Sequence, residues 1–325
     1  MKNLITGGAG FIGSHLADHL MKEGEEVVIM DDLSTGRFDN IRHLVEKRGF
    51  KYYIGKVEDR RLLEKIIEKV DRIYHLAASV GVQLILDDPV RTIENNIFST
   101  QTVLEEAVKY GKSVLLASTS ELYGKSEKLP FSEDSEVVYG PTRLFRWSYA
   151  ISKAVDEFLL LAYHRQKGLP GVIVRLFNTV GPRQTGRYGM VLPRFVKQAL
   201  SGEPITVYGS GEQKRCFAHV LDVVPALHDL MKSSQAQGMV VNIGNNEEVS
   251  INQLAENVQQ KVNPEADILR LPYEQVYGKN FEDMNSRQPD LTRVKELINY
   301  QPSRSLDTII DDVLAFYRGK WGPEI

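Results

Sequence analysis

The chain has 325 residues, 42% of them hydrophobic and 26% charged, and a formal net charge of −3 at pH 7. The length predicts about two domains, and the composition excludes wholesale disorder and, with no basic stripe, a nucleic-acid binder that neutralises phosphates. The single cysteine excludes an intrachain disulfide and a cysteine-rich metal site, and it fits a reducing compartment. No apolar run is long enough to span a membrane, and the first residues enter a predicted strand without the regions of a signal peptide. We therefore expect a cytoplasmic protein.

The first 180 residues alternate short apolar runs with longer amphipathic ones. The short runs predict strands at 2–6, 26–30, 72–76, 113–118 and 171–176. The longer runs predict helices at 11–23, 60–69, 89–110 and 148–167. Strands and helices that alternate at this spacing predict an α/β fold, a doubly wound parallel sheet of the Rossmann type.

After residue 180 the rhythm changes, with Gly, Pro, Tyr and Arg interrupting the pattern up to residue 211. Shorter helices are predicted at 192–201, 251–262 and 306–318. We therefore predict a nucleotide-binding domain over 1–180 and a smaller substrate-binding lobe over 181–325. A strand near 239–244 is expected to return to the main sheet.

A glycine-rich turn joins the first strand to the first helix and contains Gly8-x-Gly10-x-x-Gly13. Glycines allow a tight turn, a close approach of the backbone to a pyrophosphate, and close packing of helix on strand. The helix that follows offers unpaired N–H groups and the positive end of its dipole. The turn predicts a dinucleotide site formed by Gly7, Gly10, Phe11, Ile12 and Gly13.

Two acids, Asp31 and Asp32, end the second strand about 20 residues beyond the glycines. A carboxylate there accepts hydrogen bonds from an adenosine ribose and repels a 2′-phosphate, which favours NAD over NADP. We expect Asp31 to be the ribose ligand ahead of Asp32; a pair of solvated turn acids is the alternative. The turn that follows contains Ser34, Thr35 and Gly36, which we also assign to the predicted NAD site.

Tyr149 and Lys153 lie four residues apart at the start of a long predicted helix, and therefore on one face of it. A nearby ammonium favours tyrosinate, so Lys153 can lower the pKa of Tyr149 from about 10 toward the working pH. Tyr149 then serves as a general base for a substrate hydroxyl. Alone the pair is common by chance and indicates only a surface contact; together with the glycine turn it is specific.

These motifs resemble the extended short-chain dehydrogenase/reductases, in the branch that acts on nucleotide-sugars, over essentially the whole chain. The resemblance implies NAD as the cofactor and a catalytic hydroxyl at Thr119 beside the Tyr149–Lys153 pair. Lys56 departs from the family, which usually has an acid near the adenine at that place. To the NAD site the resemblance also assigns Leu76, Ala77, Ala78, Asn96, Ser118, Tyr149 and Lys153.

Members of this branch first oxidise C4 of the sugar and then epimerise, dehydrate or decarboxylate it. Thr119-Ser120-Glu121 differs from the Thr-Asp-Glu of dehydratases and is similar to the Thr-Ser-Glu of UDP-glucuronate decarboxylases. Arg287 lies in a segment that resembles the Arg-Lys-Pro-Asp/Ser segment of the same enzymes. The resemblance implies that Ser120, Glu121 and Arg287 belong to the catalytic site, with Glu121 and Arg287 acting around C5. Whether Arg287 binds a carboxylate or a diphosphate stays open.

We therefore predict decarboxylation of UDP-glucuronate to UDP-xylose or a 4-keto-pentose. Epimerisation of UDP-glucose or UDP-glucuronate at C4 is the alternative. A catalytically silent NAD-binding sensor is a remote alternative, because such proteins usually lose the tyrosine or the lysine, and both are present here.

The segment 200–217 resembles the family's nucleotide-binding segment, which implies Tyr208 near the base and Arg215 near the diphosphate. Arg194 and Lys197 could add positive charge. Uracil as the base is implied by the resemblance only. Substrate contacts are thus expected from Asn178, Arg183, Tyr208, Arg215 and Arg287.

No cluster has the spacing of metal ligands, so we expect no metal and structural roles for His75 and His219. The helices predicted at 89–110 and 148–167 are longer than one sheet face requires. Their excess predicts packing against the same helices of a second subunit, in a homodimer that agrees with the family's four-helix contact. No nucleic acid and no membrane is expected as a partner.

Overall fold

The structure, a computed structural model, describes residues 1–79, 81, 85, 87–186, 190–278 and 282–319. In that part of the chain the strands are β1 (Lys2–Thr6), β2 (Glu26–Asp31), β3 (Phe50–Ile54), β4 (Arg72–His75), β5 (Ser113–Thr119), β6 (Gly171–Leu176), β7 (Thr179–Val180), β8 (Ile205–Tyr208), β9 (Lys214–Cys216), β10 (Ala218–His219), β11 (Val240–Ile243), β12 (Glu248–Ser250) and β13 (Ile268–Leu271). The helices are α1 (Phe11–Lys22), α2 (Arg60–Ile67), α3 (Pro89–Tyr110), α4 (Ser148–Lys167), α5 (Val191–Leu200), α6 (Val220–Lys232), α7 (Ile251–Val262), α8 (Tyr273–Tyr277), α9 (Thr292–Ile298) and α10 (Leu306–Tyr317).

A parallel sheet forms the centre of the molecule, in the strand order β11-β6-β5-β4-β1-β2-β3. The order runs outward from β1 in both directions, which is the doubly wound arrangement. The predicted α/β fold of the Rossmann type is confirmed. Short pairs outside this sheet join β7 to β10, β8 to β13 and β9 to β12.

Two apolar layers cover the sheet. On one face Leu16 of α1 and Leu227 of α6 pack with Ile5 and Leu115. On the other face Leu104 of α3 packs in a second cluster with residues of α2 and α4. Because both faces are covered, the central strands are continuous apolar runs, which is why five strand predictions agree with the structure to within one residue.

Two elements of this part of the fold, β3 and α6, are not predicted from the sequence pattern. In the edge strand β3 only Phe50 is buried, and the remaining residues, which include Lys51 and two tyrosines, do not alternate between apolar and polar. Helix α6 is apolar on most sides, because it is buried between α1 and the sheet, and it contains Pro225. A proline within a helical pattern predicts that the helix ends or bends there, which works against predicting this helix from the sequence.

The second half of the chain contributes to both parts of the molecule. A separate apolar cluster joins Phe195 of α5, Leu254 of α7 and Ile310 of α10 with the β8–β13 pair, and forms the core of the smaller lobe. Strand β11 lies beside β6 in the main sheet, and α6 packs against α1. A boundary at residue 180 therefore stays a prediction, with β11 and α6 lying on the nucleotide-binding side. None of the described helices is long and apolar enough to cross a membrane.

Candidate active site

The carboxyl ends of β1, β2, β4, β5 and β6 meet at one edge of the sheet, where ligands bind in folds of this type. They open into a cavity of about 660 Å³ that the smaller lobe also lines. The predicted site residues that do not line it are Gly36, Asn96 and Lys153. Those that line it are Gly7, Gly10, Phe11, Ile12, Gly13, Asp31, Asp32, Ser34, Thr35, Leu76, Ala77, Ala78, Ser118, Thr119, Ser120, Glu121, Tyr149, Asn178, Arg183, Tyr208, Arg215 and Arg287.

The glycine turn leaves no room for side chains. A Cβ on Gly13 would lie 2.3 Å from the Gly7 carbonyl oxygen and 2.8 Å from the Cα of Gly8. Gly7 has a φ of +71°, and its Cβ would lie 2.9 Å from the backbone nitrogen of Ala77. Helix α1 begins after Gly10 without a side-chain cap, so its first turn presents backbone N–H groups to the cavity. The turn fits a pyrophosphate held against a helix N-terminus.

Asp31 forms hydrogen bonds both to the glycine turn and to the turn that follows β2. Its two carboxylate oxygens accept hydrogen bonds from the backbone N–H groups of Ala9, at 2.9 Å, and Leu33, at 2.8 Å. Burial raises the pKa of Asp31, and these backbone hydrogen bonds oppose that shift. Gly36 lies behind the carboxylate, since its Cβ would meet Asp31 Oδ1 at 2.8 Å. Asp32 faces Ser34, whose hydroxyl donates to Asp32 Oδ1 at 2.6 Å.

Two predicted NAD ligands are bonded to protein groups. The side chain of Asn96 accepts a hydrogen bond from the backbone N–H of Ser79 at 2.8 Å and donates to Ser152 Oγ at 3.1 Å. It therefore positions the backbone that follows Leu76–Ala78 instead of lining the cavity. Ser118 lines the cavity, and its hydroxyl donates to Glu157 Oε1 at 2.6 Å.

Tyr149 and Lys153 share the first turns of α4, as predicted, but their surroundings differ. Tyr149 lines the cavity beside Thr119, whose hydroxyl bonds to it. Burial raises the pKa of Tyr149, and the carboxylates of Glu121 and Asp156 add to the rise. The Lys153 ammonium is buried and lies 2.8 Å from Asp156 Oδ2. The structure does not show the predicted lowering of the Tyr149 pKa by Lys153, because burial and two carboxylates dominate and Asp156 neutralises the ammonium.

Five charged side chains meet in the wall of the cavity, and we call them the arginine cluster: Glu121, Arg146, Arg215, Asp283 and Arg287. Arg146 is bonded to Glu121 Oε2 and lies 3.8 Å from Asp283. Arg287 lies 3.5 Å from Glu121 Oε1, and Arg215 lies 3.0 Å from Asp283 Oδ2. Three cations and two anions give these five residues one excess positive charge.

The charges of the cluster govern its protonation. Burial alone would raise the pKa of Glu121, but Arg146 and then Arg287 hold it below its usual value. Burial and the neighbouring Arg215 lower the pKa of Arg287 to about 10, and Glu121 opposes that shift. Arg287 stays protonated at neutral pH, and it is the guanidinium of the cluster with the weakest ion pair.

The lobe supplies an aromatic platform farther along the cavity. The guanidinium of Arg194 lies 3.8 Å from the ring centroid of Tyr208, and Tyr277 meets the same ring edge-on at 5.7 Å. Asn178 donates to the carbonyl of Cys216 at 3.2 Å, and Arg183 lies 2.7 Å from Asp18. Lys197, a further predicted cation, is exposed on α5 and does not line the cavity.

The two histidines of the sequence analysis are buried outside the cavity lining. His75 bonds to the hydroxyls of Thr6 at 2.7 Å and Thr100 at 3.2 Å, and burial lowers its pKa to about 3. His219 accepts a hydrogen bond from the backbone N–H of Leu221 and caps α6. Among the described residues no group of three His, Cys, Asp or Glu side chains could hold a metal ion.

Sequence reasoning gave no role to two members of the arginine cluster, Arg146 and Asp283. Arg146 lies three residues before Tyr149 in the turn Phe145–Trp147, and that proximity was the available signal. Asp283 has no such signal, because it meets Arg146 and Arg215 only through the tertiary fold. Lys56 lines the cavity, as its place near the adenine implied.

Gly13→Ala tests the glycine turn. The added methyl group forces the turn apart, so we expect a loss of about 1–3 kcal/mol of stability and of at least about tenfold in NAD affinity. Thermal unfolding with and without NAD, and a fluorescence titration with NADH, measure both effects. Gly171→Ala is the control, because its Cβ would meet the side chain of Leu160 at 2.8 Å and Gly171 does not line the cavity. Wild-type NAD affinity in Gly13→Ala would contradict the assignment.

Comparisons with known proteins agree with this geometry. Residues 4–313 match the family model described as GDP-mannose 4,6 dehydratase. UDP-N-acetyl-alpha-D-glucosaminuronate decarboxylase of Bacillus cytotoxicus is 40% identical over 317 residues, which cover 97% of each chain. UDP-glucuronic acid decarboxylase 1 of Xenopus tropicalis is 38% identical over 315 residues, which cover 97% of this chain and 72% of that one.

A solved structure, UDP-glucuronic acid 4-epimerase from Bacillus cereus in complex with UDP-glucuronic acid and NAD, matches with a TM-score of 0.89. It is 28% identical, and the match covers 99% of this chain and all of that chain. The chain therefore belongs to the GDP-mannose 4,6 dehydratase family, the NAD-dependent nucleotide-sugar branch of the extended short-chain dehydrogenase/reductases, and within it is similar to uronate decarboxylases.

Proposed function

We propose that the protein decarboxylates a UDP-linked uronic acid, with UDP-glucuronate as the first candidate substrate and UDP-xylose or a UDP-4-keto-pentose as the product. One observation carries the proposal: the arginine cluster, with one excess positive charge, lies in the same cavity as Thr119 and Tyr149. A uronate carboxylate supplies the missing negative charge. The hydroxymethyl group of an ordinary hexose does not.

The glycine turn and Asp31 hold NAD in this proposal, and NAD supplies hydride transfer at C4 of the sugar. Tyr149 accepts the proton of the C4 hydroxyl, and the Thr119 hydroxyl stabilises the phenolate by donating to it. Because burial holds the Tyr149 pKa high, its proton is present in the free protein at neutral pH. Turnover is therefore expected to increase as the pH rises above neutral, because the fraction of Tyr149 present as phenolate increases.

Loss of carbon dioxide follows from the chemistry of the oxidised sugar. A 4-keto uronate is a β-keto acid, so the C5–C6 bond can break with its electron pair held by the C4 ketone. Carbon dioxide leaves, and C5 then takes a proton. Return of the hydride to C4 gives UDP-xylose, whereas a hydride left on the cofactor gives the UDP-4-keto-pentose. Arg287 suits the leaving carboxylate, since a guanidinium donates two parallel hydrogen bonds to it. Glu121 is held as an anion, which suits it to positioning Arg287 rather than to donating that proton.

Two relatives indicate a second substrate and a second reaction that should be tested. The Bacillus cytotoxicus relative is named for a substrate with an N-acetyl group, and the Bacillus cereus structure is a 4-epimerase bound to UDP-glucuronic acid. UDP-N-acetylglucosaminuronate is thus the second substrate to try, and 4-epimerisation of UDP-glucuronate the second reaction. Relatives named as UDP-glucuronic acid decarboxylases reach 38% identity, against 28% for that epimerase, which favours decarboxylation.

The direct test incubates the purified protein and NAD with each uronate and follows carbon dioxide and the sugar product by NMR. A UDP-pentose or a UDP-4-keto-pentose together with carbon dioxide is the expected result. A UDP-galacturonate product without gas would establish the epimerase instead. Conversion of UDP-glucose with no reaction of either uronate would overturn the role given to the arginine cluster.

Tyr149→Phe tests the base. Removal of the phenol oxygen is expected to lower kcat by about 10²–10⁴-fold while NAD binding persists, because only the proton acceptor is lost. Tyr163→Phe is the matched control, since Tyr163 lies on the same helix α4 but does not line the cavity. Equal activity of the two variants would refute the assignment. Steady-state rates with UDP-glucuronate and an NADH titration supply the two readouts.

A homodimer through α3 and α4 is part of this proposal. These two helices pack against each other and expose Phe98, which is 52% exposed, and Phe158, which is 74% exposed. Large apolar side chains grouped on neighbouring helices are typical of an interface. We also propose a cytoplasmic setting, because the free Cys216 suits a reducing compartment.

Phe158→Glu is expected to shift the protein from dimer to monomer, because each subunit would then bury a charge in the helical interface. Light scattering coupled to size-exclusion chromatography measures the mass. Leu269→Glu serves as the control, since Leu269 is also exposed, at 47%, but lies in the smaller lobe on β13. A dimer that survives Phe158→Glu and is lost in Leu269→Glu would place the interface elsewhere.

A further inference from the structure

Arg146 is buried in the wall of the cavity and is not needed by the proton and hydride transfers described above. Only 2% of it is exposed, and it lines the cavity one turn before Tyr149. Its neighbour Trp147 is also buried and donates to Glu282 Oε2 at 3.2 Å, which fixes the turn that carries both. The buried Trp147 and the bond to Glu121 therefore set the position of the Arg146 guanidinium.

The two carboxylate oxygens of Glu121 have different partners. Arg146 donates a hydrogen bond to Oε2 of Glu121. The other oxygen, Oε1, lies 3.5 Å from the guanidinium of Arg287. That distance is beyond a strong charge-assisted hydrogen bond. Among the described residues, Nε of Arg287 is buried without a hydrogen-bond partner. Arg287 is thus a guanidinium in the cavity with donors left over.

We propose that Arg146 is a positioning residue that neutralises Glu121 and so leaves Arg287 available to the carboxylate of the substrate. The inference rests on the proposed function, since it takes the substrate to be a uronate. Without Arg146, the nearest cation to Glu121 is Arg287. The two side chains then form a direct ion pair, and Arg287 can no longer bind the carboxylate of the substrate. Arg146 would then set the preference for uronates over sugars without a carboxylate.

The preference can be measured as the ratio of the Kd of UDP-xylose to the Kd of UDP-glucuronate, since the two ligands differ by the carboxylate. Measuring it in the Tyr149→Phe background with NAD present prevents turnover. Adding Arg146→Met is expected to lower the ratio by about tenfold, because the freed Glu121 takes Arg287 and repels the carboxylate. Arg143→Met is the matched control: Arg143 is exposed three residues earlier, and the ratio should not change.

The pH dependence separates this role from a structural one. The groups that face Glu121 are Arg146, Arg287, Asp283 and Tyr149. When Arg146 is absent, the pKa of Glu121 rises, so the uronate preference should return as the pH falls and Glu121 becomes neutral. Adding Glu121→Gln to Arg146→Met should restore the preference at every pH. A variant that had merely distorted the wall would show neither effect.

Each outcome decides the point. The role of Arg146 is supported if the Kd ratio falls in Arg146→Met and is restored by low pH or by Glu121→Gln. The role is overturned if the ratio does not change, or if it falls and neither low pH nor Glu121→Gln restores it. Should Arg146→Met fail to fold, Arg146→Lys keeps the charge and is expected to keep the preference within about threefold; its loss would overturn the role. If the parent protein itself shows no preference for UDP-glucuronate, the proposed function fails and not the role of Arg146 alone.

Discussion

The ion pairs around Glu121 join three parts of the chain that are far apart in sequence. Glu121 follows β5, Arg146 precedes α4, and Arg287 and Asp283 come from the segment before α9. Arg146 is buried and its partners are half-buried, and charged groups removed from water in this way need partners. These contacts therefore fix the relative positions of the sheet edge and the lobe. The cavity that they border therefore has a defined shape and a defined charge.

That charge is the property from which we propose the substrate. A parallel sheet with a glycine turn after β1 provides a cradle for a dinucleotide, and many reactions use it. In the proposed function, the excess cation of the arginine cluster favours a sugar that carries a carboxylate. Arg194 stacks on Tyr208 in the same cavity, so the proposal assigns the nucleotide and the carboxylate to different residues.

The pair of Tyr149 and Lys153 shows how burial changes an expectation taken from spacing. The two side chains share a helix turn, but Lys153 pairs with Asp156, while Glu121 and burial act on Tyr149. Spacing along a helix gives the face on which a side chain lies. It does not give the neighbours that other elements bring to that face, and these neighbours set the pKa.

The sequence alone determined the elements with one-sided or continuous apolar patterns and the motifs that are local in the chain. The central strands, the glycine turn, Asp31 and the Thr119–Glu121 segment are of this kind, because their signal lies within a few neighbouring residues. Asp283, the exposed strand β3 and the buried helix α6 were decided by the tertiary structure, because burial and ion pairing depend on residues distant in sequence. The hydrogen bonds of Asn96 were decided in the same way, because its two partners, Ser79 and Ser152, meet it only when the chain is folded.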